Sequence, residues 1–279
     1  MTGREITVTF AAKYGPWALV AGASDGVGAA FAEGLAERGV NVVLLSRRRA
    51  VLDEVAAGIS NRTGVQTRTL AVDLAQPGAT VAITDATKDL EIGCLVYCAG
   101  SDPNFEPFLA NSIQSAEAMV VRNCIVPMQL CHHFAPAMVE RGRGGIVIFG
   151  SGAGFVGGPN VVTYSATKAL DKVFAEALWA ELHDTGVDVL GLILSKTDTP
   201  ALRRLEHSRG QISSVDEPAP YAATVAEVIA EAFDNLANGP TWIVGENMRA
   251  AYQMIGSASR NEAVQFMAQA SAAVMGSDQ

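Results

Sequence analysis

Tyr164 and Lys168 stand four residues apart in the stretch VVTYSATKAL, whose other members are mostly small or apolar. On a helix such a pair lies one turn apart and rotated by only about 40°, so the phenol and the ammonium share one stripe. A phenol with an ordinary pKa of ~10 exchanges protons poorly at neutral pH unless a neighbouring cation stabilises its anion. In the chemical reading Lys168 is that cation; in the ordinary one it is a helix lysine paired with Asp171. Ser151, thirteen residues before the tyrosine, closes the apolar run GIVIFG. A hydroxyl at such a strand end can donate to a substrate oxygen and offset the negative charge that develops there during reaction.

A second constellation suits a phosphate-bearing ligand. The stretch AGASDGVGAAFAEGLAERG follows an apolar strand and runs straight into a helical pattern. Gly22, Gly26 and Gly28, with Ser24, Asp25 and Val27 between them, let the backbone turn tightly and approach a pyrophosphate that the helix N-terminus attracts. The spacing is GxxxGxG rather than GxGxxG. At the end of the next strand, where an NAD site carries an acidic residue, the chain reads LLSRRRA. Ser46 offers a neutral hydroxyl, and Arg47 and Arg48 offer planar donors suited to a 2′-phosphate, so NADP(H) is the expected cofactor. Asp25 is a counter-signal, since it adds negative charge near the phosphates.

The elements that must position these groups alternate along the chain. Apolar, β-branched runs predict seven strands at 18–22, 41–46, 66–72, 94–99, 145–150, 188–194 and 241–245. Helical stretches at 26–38, 50–62, 113–139, 163–185 and 222–238 are long enough for right-handed crossovers on both faces of a parallel sheet. The expected fold class is α/β, a doubly wound seven-stranded parallel sheet forming a single domain over residues 1–279. Its core spans 17–245, a polar insertion at 195–221 forms the substrate loop, and a Met- and Ala-rich extension covers 246–279.

Taken together, the glycine loop, YCAG at 97–100, Asn123, and Ser151 followed by Tyr164-xxx-Lys168 resemble the short-chain dehydrogenase/reductase family over about residues 15–245. Within it the chain is similar to the NADP-dependent ketone, hydroxysteroid and 3-ketoacyl reductase branches. The resemblance implies an NADP(H)-dependent oxidoreductase that interconverts a ketone and a secondary alcohol, with Tyr164 as general acid/base beside Asn123, Ser151 and Lys168. It implies cofactor contacts from Asp73 and Leu74 after the third strand, from the turn Cys98, Ala99 and Gly100, from Tyr164 and Lys168, and from Thr199 or Thr197 near the carboxamide. It also implies a homodimer or homotetramer built on the helices at 113–139 and 163–185. Two departures stand out. Tyr97 and Cys98 replace the Asn-Asn of the family turn, and LSKTDTP replaces a Pro-Gly segment after the sixth strand. Related enoyl reductases place the lysine six residues after the tyrosine, where this chain has Leu170. That spacing favours carbonyl chemistry over enoyl reduction, and the intact Ser-Tyr-Lys set favours turnover over a cofactor-binding sensor or scaffold.

Composition bounds the partners. Hydrophobic residues make up 49% and the formal charge is −9, which supports a sizeable core and removes the broad basic footprint of a nucleic-acid binder. No segment has the apolar length of a membrane span, and the N-terminal MTGREITVTF lacks a secretory pattern, so a soluble cytoplasmic protein is expected. Cys94, Cys98, Cys124 and Cys131 form no paired knuckles and read as reduced thiols, with no metal site. The substrate should be a small-molecule carbonyl or alcohol held by walls at 101–108, 152–161 and 195–221. Phe155, Val156, Pro159, Val161 and Leu202 favour an apolar body, while Arg203, Arg204 and Arg209 offer an alternative clamp for an anionic one.

Overall fold

Strands buried on both faces read as continuous apolar runs, and the runs in this chain close into one parallel sheet. The computed structural model describes residues 9–101 and 105–275. Its strands are β1 (Trp17–Ala21), β2 (Asn41–Ser46), β3 (Thr67–Ala71), β4 (Ile92–Tyr97), β5 (Gly144–Ser151), β6 (Val187–Leu194), a two-residue bridge β7 (Thr197–Asp198) with β8 (Ala223–Thr224), and β9 (Thr241–Ile243). The large sheet runs β3-β2-β1-β4-β5-β6-β9, parallel throughout. Its order reverses between β1 and β4, the switch point where such sheets open a crevice beyond their carboxyl ends. Ala21 pairs with both Leu45 and Tyr97, so the segments after β1, β2 and β4 emerge side by side at that crevice.

The helices are α1 (Phe10–Tyr14), α2 (Gly26–Glu37), α3 (Arg49–Thr63), α4 (Ala79–Thr87), α5 (Ile113–Val120), α6 (Val126–Arg141), α7 (Val162–Leu182), α8 (Pro200–Ser208), α9 (Val225–Asp234), α10 (Glu246–Ser257) and α11 (Arg260–Met275). The period-2 alternation of the strands divides the core between two faces. Ala18, Val20, Val42 and Leu44 pack with Phe31 and Leu35 of α2, Leu52 and Ile59 of α3 and Val228 of α9. Leu19, Ala21, Val43 and Leu45 pack on the other face with Ile83 of α4, Leu130 and Met138 of α6 and Ala175 of α7.

The expected strands agree with these to within a few residues, and three differences have physical causes. The stretch expected as one helix over 113–139 is α5, a single π turn (Val121–Ile125) and α6. Pro127 opens α6, and having no N–H it cannot give the carbonyl of residue 123 its usual i+4 bond. Helix α4 was not expected, because ATVAITDAT is rich in β-branched residues of low helix propensity. The insertion at 195–221 is not merely a polar loop: Thr199 caps α8, and the β7-β8 bridge ties the start of the insertion to the segment that follows it. Residues 102–104 of the expected 101–108 wall, and residues 1–8 and 276–279 of the expected domain, lie outside the described residues.

Candidate active site

A groove of about 600 Å³ lies beyond the carboxyl ends of the strands, at the switch point. It gathers Gly22, Ser24, Asp25, Gly26, Val27 and Gly28 from the first turn, Ser46, Arg47 and Arg48 from the end of β2, and Asp73 and Leu74 after β3. Cys98, Ala99 and Gly100 after β4, Ser151, Tyr164 and Lys168, and Thr197 and Thr199 complete the set expected from the sequence. Asn123 is buried behind this lining. Arg122, Ser101, Ser195 and Arg204 also line the groove.

The glycine turn is a cradle from which side chains are excluded. Gly22 has φ +90°, and a Cβ on it would fall 2.9 Å from the Ala99 nitrogen; a Cβ on Gly28 would fall 2.3 Å from the Gly22 carbonyl oxygen. Bare backbone therefore faces the space where α2 begins, as a pyrophosphate site at a helix N-terminus requires. The Asp25 carboxylate caps that helix by accepting from the Gly26 N–H at 2.8 Å. Its other oxygen accepts from Arg204 at 3.0 Å and lies 3.5 Å from Arg48. Arg48 also donates to Ser24 Oγ at 3.1 Å, and Ser46 Oγ accepts from the Arg48 N–H at 3.2 Å. The counter-signal of Asp25 is thereby reversed: one carboxylate gathers two guanidiniums, with the exposed Arg47 beside them. The end of β2 presents no acidic side chain, so this lining fits a dinucleotide with a 2′-phosphate. Asp73 turns its carboxylate to the Ala75 N–H at 3.0 Å.

At the other end of the groove, Tyr164 and Lys168 lie one turn apart on α7, with Lys168 Nζ 5.8 Å from the Tyr164 ring centroid. Lys168 is buried, donating to the Phe149 carbonyl oxygen at 2.8 Å and to Asp171 Oδ2 at 2.9 Å. The lysine thus lies near the phenol ring and is also paired with Asp171. Ser151 ends β5 and accepts from the Ala153 N–H at 3.2 Å, which fixes the turn that follows. Asn123 sits in the π turn, a helix irregularity that recurs at functional sites. Its Nδ2 donates to Thr167 Oγ1 at 3.0 Å and its Oδ1 accepts from Arg122 Nε at 3.2 Å. Tyr97, which stands where the family turn has Asn, donates its hydroxyl to the Arg122 carbonyl, so the strand end is tied to the π turn by a phenol instead of an amide. Thr199 Oγ1 accepts from the Leu202 N–H at 3.2 Å, and Thr197 Oγ1 donates to the Ser195 carbonyl at 3.1 Å.

The substrate side differs from expectation in two respects. Arg203 is held bidentately by Asp198 at 2.7 and 2.6 Å, and Arg204 shares Asp25 with Arg48 at the cofactor end of the groove. Phe155 and Val156 are buried, with Phe155 beneath the C-terminal extension rather than on an open wall. The Tyr252 ring packs on Phe155, tilted by 51° with centroids 4.6 Å apart, Arg260 donates to the Phe155 carbonyl at 2.8 Å, and Met248 fills the space beside Gly152. The extension therefore braces the turn that carries Ser151. Phe105 stands 6.3 Å from the Tyr164 ring, with the Arg209 guanidinium 5.6 Å from its own. The Met-rich character of the extension is the sequence signal for this contact; the placement of Phe105 has none.

Residues 16–210 match the family model described as short chain dehydrogenase. A 7beta-hydroxysteroid dehydrogenase of Clostridium sardiniense is 33% identical over 260 residues, 92% of this chain and 96% of that protein. A solved structure concerned with 7beta-hydroxysteroid dehydrogenase stereoselectivity superposes with a TM-score of 0.84 at 30% identity, over 93% of this chain and 99% of the other. A short-chain dehydrogenase from Sphingobium yanoikuyae in complex with NADPH superposes with a TM-score of 0.72 at 27% identity, over 88% and 96%.

Proposed function

The chain belongs to the short-chain dehydrogenase family and is an NADP(H)-dependent oxidoreductase of carbonyl and hydroxyl groups; within that activity we propose that it acts on a bulky, apolar ring ketone or alcohol of hydroxysteroid type, with Tyr164 as the acid/base. The observation that carries the reading is the single groove that joins the glycine cradle and Arg47/Arg48 at one end to Ser151, Tyr164 and Lys168 at the other. Bound there, the dinucleotide supplies or accepts the hydride. The Tyr164 hydroxyl gives its proton to the substrate oxygen in reduction and takes it back in oxidation. Ser151 donates a hydrogen bond to that oxygen as its charge develops. Lys168 supports the tyrosinate with its positive charge, and Asn123 holds the π turn beside it. Engagement of Arg203 by Asp198, together with the Phe105 ring 6.3 Å from that of Tyr164, supports an apolar substrate over an anionic one. The test follows nicotinamide absorbance with purified protein against ketosteroids, aryl ketones, sugars and 3-ketoacyl thioesters. Ketosteroids should give the highest kcat/KM; a preference for sugars or thioesters would overturn the substrate class. With the right substrate, Tyr252→Ala should raise KM several-fold and leave kcat nearly unchanged, because it removes a ring that braces the site without touching the proton path.

The same reading gives a homo-oligomer. An apolar groove on α6 and α7 is lined by Met128, Cys131, Ala135, Val139, Phe174, Leu178 and Leu182, and a second copy of this face is the partner proposed for it. Trp179 of the same helix also packs against the core, its ring stacked at 4.6 Å on His183. Light scattering at micromolar concentration should show a dimer or tetramer, and Leu178→Glu should dissociate it; a wild-type monomer would rule the interface out. Among the described residues no helix is long and apolar enough to cross a membrane, and all four cysteines are free thiols, three of them buried, which supports a reducing, cytoplasmic setting.

A further inference from the structure

Lys168 does not face Tyr164 as an isolated charge. Its Nζ lies 2.9 Å from Asp171 Oδ2 and 2.8 Å from the Phe149 carbonyl oxygen, and the two charged side chains are only 5% and 4% exposed. We propose that Asp171 is a positioning residue of the reaction, the buried counter-ion that keeps Lys168 protonated and holds its Nζ at the end of β5 beside the Tyr164 ring. The inference rests on the Tyr164–Lys168 reading of the site.

A solitary ammonium at this depth would not persist. Lysines buried without a partner lose their proton at pH values as low as ~5–6, and the Phe149 carbonyl offers only a partial charge in compensation. Burial pulls Lys168 down in the same way here, but the Asp171 carboxylate, and Tyr164 after it, outweigh burial and hold the lysine above its ordinary value. Burial lifts the Asp171 carboxyl above the usual carboxylate range in spite of the ammonium beside it. The other titratable groups that face the pair come from two further elements. Tyr97 in β4 and Cys124 in the π turn face Asp171, Cys98 after β4 faces Lys168, and Arg122 faces Tyr97. Burial pushes the Cys98 thiol to about 12, the Cys124 thiol to about 11 and the Tyr97 phenol well above its ordinary value. These three are neutral at working pH, so they do not replace the carboxylate.

The experiment is the pH profile of kcat for oxidation of a hydroxysteroid by saturating NADP⁺, in wild type, Asp171→Asn and Asp171→Glu; in that direction Tyr164 is the base and its own titration raises the rate with pH, so an alkaline fall reports loss of the ammonium. An ammonium is lost as pH rises through its pKa, so lowering that pKa brings an alkaline fall in rate to lower pH. Wild type should show no such fall below about pH 9, given an ordinary lysine pKa of ~10.4. Asp171→Asn keeps the shape and removes the charge, and its alkaline limb should move down by roughly 2 pH units or more. Its kcat should then already be falling by about pH 9, where the wild-type profile is still level. Asp171→Glu should restore the position of the limb even where it does not restore the full rate. An Asp171→Asn profile parallel to wild type, at whatever height, would reduce Asp171 to a packing role and overturn the proposal. If that variant does not fold, Asp171→Ser carries the same test, and a wild-type limb below about pH 9 overturns the proposal without any variant. Tyr164→Phe separates the two levels. An active Tyr164→Phe enzyme removes the underlying reading, whereas an inactive one with a parallel Asp171→Asn profile removes this inference alone.

Discussion

Replacing Tyr164 by Phe lowers kcat by ~10²- to 10⁴-fold, the worth of a general acid/base step, and leaves NADPH affinity nearly unchanged. The expectation rests on what the substitution keeps. The ring remains on α7, half-buried and 6.3 Å from Phe105, so the wall of the site is intact. The hydroxyl that exchanges the proton is lost. Lys168→Met behaves differently, because the lysine has two partners: it removes the charge that supports the tyrosinate and strips the buried Asp171 of its cation. Breaking one half of a buried pair costs about 3–5 kcal/mol of stability, so this variant should lose activity, cofactor affinity and several degrees of melting temperature together. Single-turnover rates, cofactor titrations and thermal melts on both variants separate the roles. Should Tyr164→Phe keep more than about a tenth of the wild-type kcat, well above the ~10²-fold loss expected, the proton path through Tyr164 is wrong.

Most of the sheet was legible because parallel strands buried on both faces leave unbroken runs such as NVVLLS and DVLGLIL, and these hardly depend on tertiary context. The site residues were legible as spacings: Tyr164 to Lys168 is one helical turn, and the glycines fall where a strand meets a helix. What stayed hidden depends on groups distant in sequence. Asp25 read as repelling phosphate until Arg204, from a helix after β6, was found on its second oxygen. Arg204 read as part of a substrate clamp because nothing local reveals that Asp25 accepts from it, whereas the partner of Arg203, Asp198, stands only five residues before it. The π turn was hidden for a different reason, since apolar periodicity continues through Val121–Ile125 and only Pro127 marks the broken ladder. For Asp25 and Arg204 the missing partner came from elsewhere in the fold.

Cofactor preference is where such a partner matters most. Arg48 is oriented by Ser24 and shares Asp25 with Arg204, and Arg47 stands exposed beside it, so the end of β2 offers a pre-gathered cluster of positive charge. Charge-assisted hydrogen bonds contribute about 1.5–3 kcal/mol each. Arg48→Ala should therefore weaken NADPH binding by ~10-fold or more, through the lost donor and through an Asp25 left with one guanidinium fewer. Combining Ser46→Asp with Arg47→Ala goes further. The new carboxylate, one residue from the arginine it displaces, suits a ribose diol and repels a phosphate. NADPH affinity in that double variant should fall by ~10²-fold or more while NADH binding holds or improves, inverting the preference. Because these arginines are solvent-exposed, the wild-type preference should also shrink as salt rises. Fluorescence titrations with both nucleotides at low and high ionic strength read all of these effects. Unchanged NADPH affinity in the Ser46→Asp/Arg47→Ala enzyme would mean that the 2′-phosphate is held elsewhere and that the three arginines after β2 are only a solvated turn.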